Sequence, residues 1–247
     1  MGSELAWSSW FLPADASATR DSTVAWTFGN SWAKYLAFTH NPPLSFTAAD
    51  VHFDESTFRE VSRLAGLYDA TDPDLTAFRN AGGKLIIWQG WADQGVSPYG
   101  TVAYYQAIQD HMGGLQATQQ FARLFMFPGI YHCAAAFAPS DAPDTFDLLT
   151  PLLNWTETGT APAKVVASKS EDGAVVRTRP VFPYPEVAHY TGTGSIDDAG
   201  NFVGAPPVHH FDDHFNWLGS FSAHDELWGR STDNGVIFSR RPPSGQR

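Results

Sequence analysis

Two side chains able to move a proton between them lie 39 residues apart: Asp93, in Gly90-Trp91-Ala92-Asp93, and His132, in Gly129-Ile130-Tyr131-His132-Cys133. Imidazole titrates near neutral pH and can take a proton from a hydroxyl, while a carboxylate on its other nitrogen fixes the tautomer and stabilises the imidazolium. Beside a hydroxyl nucleophile, such a pair would support acyl transfer.

The elements that must position the pair are legible on either side of it. Gly82-Gly83-Lys84 opens an apolar run, Leu85-Ile86-Ile87-Trp88, that reads as a buried strand ending in the loop of Asp93. Apolar residues at helical spacing then run from Thr101 to His111, with Gly113-Gly114 as the stop. A second strand, Ala122 to Phe127, ends at Pro128-Gly129, just before His132. Two strands joined by a helix of this length are expected to be parallel neighbours with a right-handed crossover, so that both loops leave the sheet at one edge and Asp93 meets His132. In serine hydrolases of the α/β class the chain order is nucleophile, acid, histidine, with the last two on loops after late strands.

The hydroxyl is harder to find. Ser31 partly satisfies the nucleophile-elbow pattern, with Gly29 before it and Ala33 after it, if Val24 to Phe28 is a strand and Lys34 to Phe38 a helix. Against it, Trp32 follows directly and little chain separates Ser31 from Asp93; the alternative is a helix N-cap.

Composition bounds the rest. A 247-residue chain with 43% hydrophobic and 14% aromatic residues can bury a sizeable core. The net charge of −11, without a basic run, disfavours nucleic-acid and anionic-membrane partners and suits neutral small molecules. No apolar stretch approaches the roughly 20 residues of a membrane span, and the N-terminus lacks the basic and apolar regions of a secretory signal. Cys133 is the only cysteine, which excludes an intrachain disulfide and, taken alone, suggests a buried thiol in a reducing compartment.

Trp7, Trp10, Phe11, Trp26 and Phe28 are large apolar side chains that call for a partner surface. A helix from about Ser56 to Leu67 carries Phe58, Val61, Leu64 and Leu67 on one face. Asp69, Asp72 and Asp74 cluster around Pro73; calcium is conceivable there, but a solvated turn and the N-cap of a helix over 75–80 is the simpler reading. Further on, a helix over 146–155 starts near Asp144 and is ended by Gly159, and residues 164–168 and 174–178 form a hairpin around Glu171-Asp172-Gly173. Pro180, Pro183 and Pro185 keep the following chain extended.

Several segments together resemble the C-terminal part of the tannase and feruloyl esterase family over about residues 2–204. They are the stretch from Asp69 to Phe78, Gly82-Gly83-Lys84-Leu85-Ile86, Gly90-Trp91-Ala92-Asp93, Tyr104-Tyr105, Gly129-Ile130-Tyr131-His132-Cys133, Arg177-Thr178-Arg179-Pro180, the opening Gly2-Ser3-Glu4-Leu5-Ala6-Trp7 and the region from Phe38 to Asp54. The resemblance implies secreted or periplasmic α/β-hydrolases with a lid, which cleave esters of phenolic acids such as gallate and ferulate; enzymes acting on mono(hydroxyethyl) terephthalate are similar. It implies that Asp93 is the triad acid and His132 the general base. It also implies that Cys133 forms a disulfide with a cysteine beside the nucleophilic serine, in place of the free thiol.

The family's Cys-Ser-x-Gly-Gly nucleophile segment, its oxyanion donors and its lid have no counterpart in the sequence. The expectation is therefore an α/β chain with a partial α/β-hydrolase fold, the C-terminal strands and helices of a mainly parallel sheet. Residues 1–167 would be the catalytic-domain part, 168–204 a hairpin and Pro-rich segment, and 205–247 an irregular tail outside the family. Phe182 and the neighbourhood of Val203 stand where the family has a cysteine pair, lost together here. In the tail, His209, His210, Asp212, Asp213 and His214 could bind a metal, against which an unpatterned terminus is the favoured reading.

Two functions follow. In one, the chain holds the acid and base of a carboxylic ester hydrolase acting on a small phenolic ester, needs no cofactor or metal, draws its serine from a missing N-terminal part, and is inactive in isolation. In the other, it is a non-catalytic remnant or a module that binds an aromatic ligand or partner polypeptide.

Overall fold

The computed structural model describes residues 2–132 and 141–207. At its centre, strand β1 (Leu85–Gly90) runs parallel to β2 (Ala122–Phe127), Leu85 opposite Ala122 and Gly90 opposite Phe127. The intervening chain forms α5 (Pro98–Met112) and the single turn α6 (Leu115–Thr118), as a parallel connection requires. Pro98 sits in the first turn of α5, where its missing N–H costs nothing. Gly113 ends the helix at φ 95°, a left-handed conformation that a side chain would strain.

Strand β2 is apolar at nearly every position because both its faces are covered. Leu124 and Met126 pack with Val102, Tyr105, Ile108 and Met112 of α5. Phe125 and Phe127 face the other way, onto Val165, Ala167 and Val181. Those three belong to the antiparallel hairpin β3 (Val165–Glu171) and β4 (Ala174–Val181), turned at Asp172-Gly173. Phe146 completes this second layer by stacking on Phe127, centroids 4.0 Å apart. The division expected after Ala167 thus runs through β3, whose residues share a core with β2. Beyond β4, Tyr184 donates its N–H to the Leu124 carbonyl at 2.8 Å, so the proline-containing segment lies along β2 on the side away from β1. Among the described residues, β1 pairs only with β2.

Helix α7 (Leu149–Thr158) starts three residues later than the spacing predicts, because Asp147 rather than Asp144 accepts the first free amides, those of Leu149 and Thr150. It ends at Gly159 as expected. A small antiparallel pair, β5 (Val187–Tyr190) and β6 (Phe202–Ala205), follows. Here Phe182 lies against Gly204, where a methyl in place of the glycine hydrogen would come within 2.8 Å of the ring. Phe182, where the resemblance places one cysteine of a pair, thus packs beside the residue that follows Val203.

The largest departure from expectation lies at the N-terminal end. Residues 24–35 are one helix, α1 (Val24–Tyr35), capped by Thr23, which accepts from the Trp26 amide at 3.2 Å. Among the described residues no strand precedes Gly29, and Gly29 continues the helix. Apolar runs this short do not distinguish strand from helix, and the cap decided it. The expected helix over 56–67 is broken into α2 (Glu55–Ser62) and the single turn α3 (Ala65–Tyr68). Asp74 accepts from the Thr76 amide at the start of α4 (Thr76–Asn80). Among the described residues no three His, Cys, Asp or Glu side chains converge on a metal position.

Candidate active site

The alignment of β1 with β2 brings their C-terminal loops together. Trp91 donates its N–H to the Phe127 carbonyl and Ala92 to that of Ile130, which continues the ladder past the strand ends and locks the two loops. Gly90 is required there: a Cβ would overlap the Ile130 carbonyl oxygen. Asp93 and His132 emerge from this crossing, with Nδ1 of His132 3.1 Å from Oδ2 of Asp93.

The carboxylate is enclosed, its side chain 8% exposed, whereas the imidazole is 29% exposed. Oδ1 of Asp93 accepts the backbone N–H groups of Gly95 (2.7 Å) and Val96 (2.8 Å), a turn closed by the aspartate itself. Oδ2 accepts Nε2 of Gln89 at 2.6 Å as well as the histidine. The enclosed carboxylate thus has a partner on each oxygen, as a buried polar group requires. With Nδ1–H committed to Asp93, Nε2 of His132 is left as an acceptor, the form a general base needs. Among the described residues no side chain hydrogen-bonds to Nε2.

Two other residues fix the histidine. Gln94, buried, accepts the His132 backbone N–H through Oε1 at 3.2 Å. Trp10 presents its ring edge-on to the imidazole, centroids 5.1 Å apart. The segment carrying Trp10 is tied to the start of α1, where Val24 and Ala25 donate to the Ser9 and Trp10 carbonyls, and Ala6 packs with Ala92 and Tyr131. Sequence reasoning misses Gln89, Gln94 and Trp10 as site residues. Gln89 leaves a trace, as the one amide closing an apolar strand; Trp10 leaves only the unexplained aromatic cluster near the N-terminus.

Ser31 is not part of this arrangement. It is exposed in the interior of α1, neither at a strand-to-helix turn nor at an N-cap, so neither sequence reading of it holds. Cys133 and the tail residues His209, His210, Asp212, Asp213 and His214 lie outside the described residues.

A family model for tannase and feruloyl esterase matches residues 3–205. The mono(2-hydroxyethyl) terephthalate hydrolase of Piscinibacter sakaiensis is 33% identical over 223 residues, covering 81% of this chain and 35% of that protein. A probable feruloyl esterase of Arthroderma benhamiae is 32% identical over 189 residues, 70% of this chain and 32% of its own length. Among solved structures, feruloyl esterase B from Aspergillus oryzae superposes with a TM-score of 0.62 at 24% identity, over 81% of this chain and 40% of the other. The fold is therefore that of this esterase structure, and the chain spans about a third of the length of the curated relatives it matches. By a match that takes in both strands, both loops and the hairpin behind them, the chain belongs to the tannase and feruloyl esterase family.

Proposed function

We propose that this chain carries the acid and base of a serine-type carboxylic ester hydrolase that cleaves phenolic-acid esters. The observation that carries the reading is the 3.1 Å contact between Asp93 and Nδ1 of His132 on loops that leave adjacent parallel strands. In this reading His132 takes the proton of a serine hydroxyl through Nε2 as that oxygen attacks the ester carbonyl. The imidazolium, stabilised by Asp93, then gives the proton to the departing alcohol, and water releases the acyl group by the same route. The serine would come from the part of the relatives' length that this chain does not span. Cys133 would clamp the serine and histidine loops through a disulfide to that part.

The experiment is hydrolysis of methyl ferulate by two proteins: the 247-residue chain, and a chimera in which residues 3–205 replace the matching region of the Piscinibacter sakaiensis hydrolase. The chain alone is expected to show little or no turnover. The chimera is expected to turn over, and His132→Ala or Asp93→Asn within it to lower kcat by about 10³–10⁴-fold. Equal rates in chimera and variants would remove the pair from the mechanism.

A second reading, a module that binds an aromatic ligand or a partner polypeptide, is favoured by the aromatic surface of residues 28–58, where Phe28, Trp32, Phe53 and Phe58 are exposed. Binding of ferulate by the chain with an inactive chimera would select it.

A further inference from the structure

We propose that Gln89 is a positioning residue for the Asp93 and His132 pair: its side-chain amide holds Oδ2 of the acid in the orientation that presents it to Nδ1. The role named for the pair rests on the hydrolase reading, but the geometry that supports Gln89 does not.

The two amides of Gly95 and Val96 hold only Oδ1 of Asp93. Rotation about that anchored oxygen would still swing Oδ2 away from the imidazole. The restraint on Oδ2 is the 2.6 Å bond from Nε2 of Gln89, shorter than the histidine's own 3.1 Å contact. A bond from a neutral amide to a carboxylate at this length is among the stronger side-chain hydrogen bonds. Because the donor is uncharged, it orients the carboxylate without neutralising it, and the negative charge remains available to an imidazolium.

Gln89 is itself held. Its Oε1 accepts the hydroxyl of Thr101, in the first turn of α5, at 3.2 Å, and its Nε2 also reaches the Val96 carbonyl at 3.3 Å. The acceptors on the other side, Oδ2 of Asp93 and the Val96 carbonyl, settle which end of the amide faces the acid: a flipped side chain would set its carbonyl oxygen against both. The backbone of Gln89 lies in β1, opposite Met126, so the support stands on a strand rather than a loop. Helix α5, strand β1 and the acid loop are thereby joined through one side chain.

The test is nitrogen NMR of the ring of His132 in the ¹⁵N-histidine-labelled full chain, with the signals assigned from a His132→Asn variant. In the unmodified chain, above the pH at which the ring is protonated, the ring nitrogens are expected to report the Nδ1–H tautomer. Gln89→Leu is expected to lose that tautomer's dominance. Thr101→Val should give part of the loss, and the Gln89→Leu/Thr101→Val pair no more than Gln89→Leu alone, because Thr101 acts through Gln89. Should Gln89→Leu fail to fold, Thr101→Val decides by itself. Unchanged ring nitrogens in either folded single variant would overturn the proposal, as would an unmodified chain already in the Nε2–H form. No turnover is read, so an absent esterase activity leaves the result standing.

Discussion

Trp10 stands edge-on to His132, ring centroids 5.1 Å apart and planes at 67°, although everything from α1 to β2 separates the two in sequence. Gly95 closes the group from the acid loop: a Cβ there would come within 2.6 Å of the indole and 3.2 Å of the imidazole. The N-terminal segment is thus a wall of the histidine's site, and its large apolar residues have at least one member with a buried role.

Removing that wall should loosen the histidine loop. Trp10 is 8% exposed, and Trp10→Ala is expected to cost about 3–5 kcal/mol, as buried aromatic truncations do, with Trp10→Phe costing less. Urea unfolding gives the stability and the His132 ring proton shifts report the loop. A Trp10→Ala variant as stable as the unmodified chain would show that the contact carries no weight.

Two glycines should respond to alanine with opposite signs. Gly90→Ala drives a methyl into the Ile130 carbonyl and should destabilise by roughly 1–3 kcal/mol or more, because neither strand end can yield without breaking the ladder between the loops. Gly29 lies inside α1 with open space around its Cβ position, so Gly29→Ala should stabilise by about 0.5–1 kcal/mol. Paired thermal melts distinguish the two, and matching signs would contradict the placement of one of them.

Acid should unwind the helix starts before the core. The Thr57 amide and hydroxyl hold the Asp54 carboxyl below its ordinary value of 3.8, and the Thr150 hydroxyl and amide do the same for Asp147. A carboxyl depressed in the folded state contributes stability above its unfolded value and loses it as pH falls through its folded one. Helicity followed by circular dichroism should therefore be flat above 3.8 and decline below it. Asp54→Asn with Asp147→Asn, which can still cap but cannot titrate, should flatten the decline; an unaltered acid limb would assign it to other groups.

The exposed apolar side chains should drive association. Phe53 is fully exposed, and Leu44, Phe28 and Phe58 are exposed by 78%, 69% and 60%. Surfaces of this kind mark contact sites or aggregation liabilities. Light scattering on the purified chain should show mass rising with concentration, and Phe28→Ser with Phe53→Ser should reduce it. A monomer across the full concentration range would argue that these side chains are tolerated singly.

The sequence alone determined the strand, helix and strand that end in Asp93 and His132, together with the hairpin behind them. In these segments local signals agree: an apolar run of β length, helical spacing stopped by Gly113, and turn residues at Asp172-Gly173. The requirement that a parallel pair release both loops at one edge then made the meeting of acid and histidine foreseeable. The packed structure adds that Val24 to Tyr35 is a helix, so that Ser31 stands at no strand-to-helix turn, and that Gln89, Gln94 and Trp10 surround the pair. Gln94 and Trp10 act through contacts between segments remote in sequence, and Gln89 through a side-chain bond set by how the acid loop folds back on β1; neither kind of contact leaves a period or spacing to read. Their geometry exists only once the loops have been packed against each other.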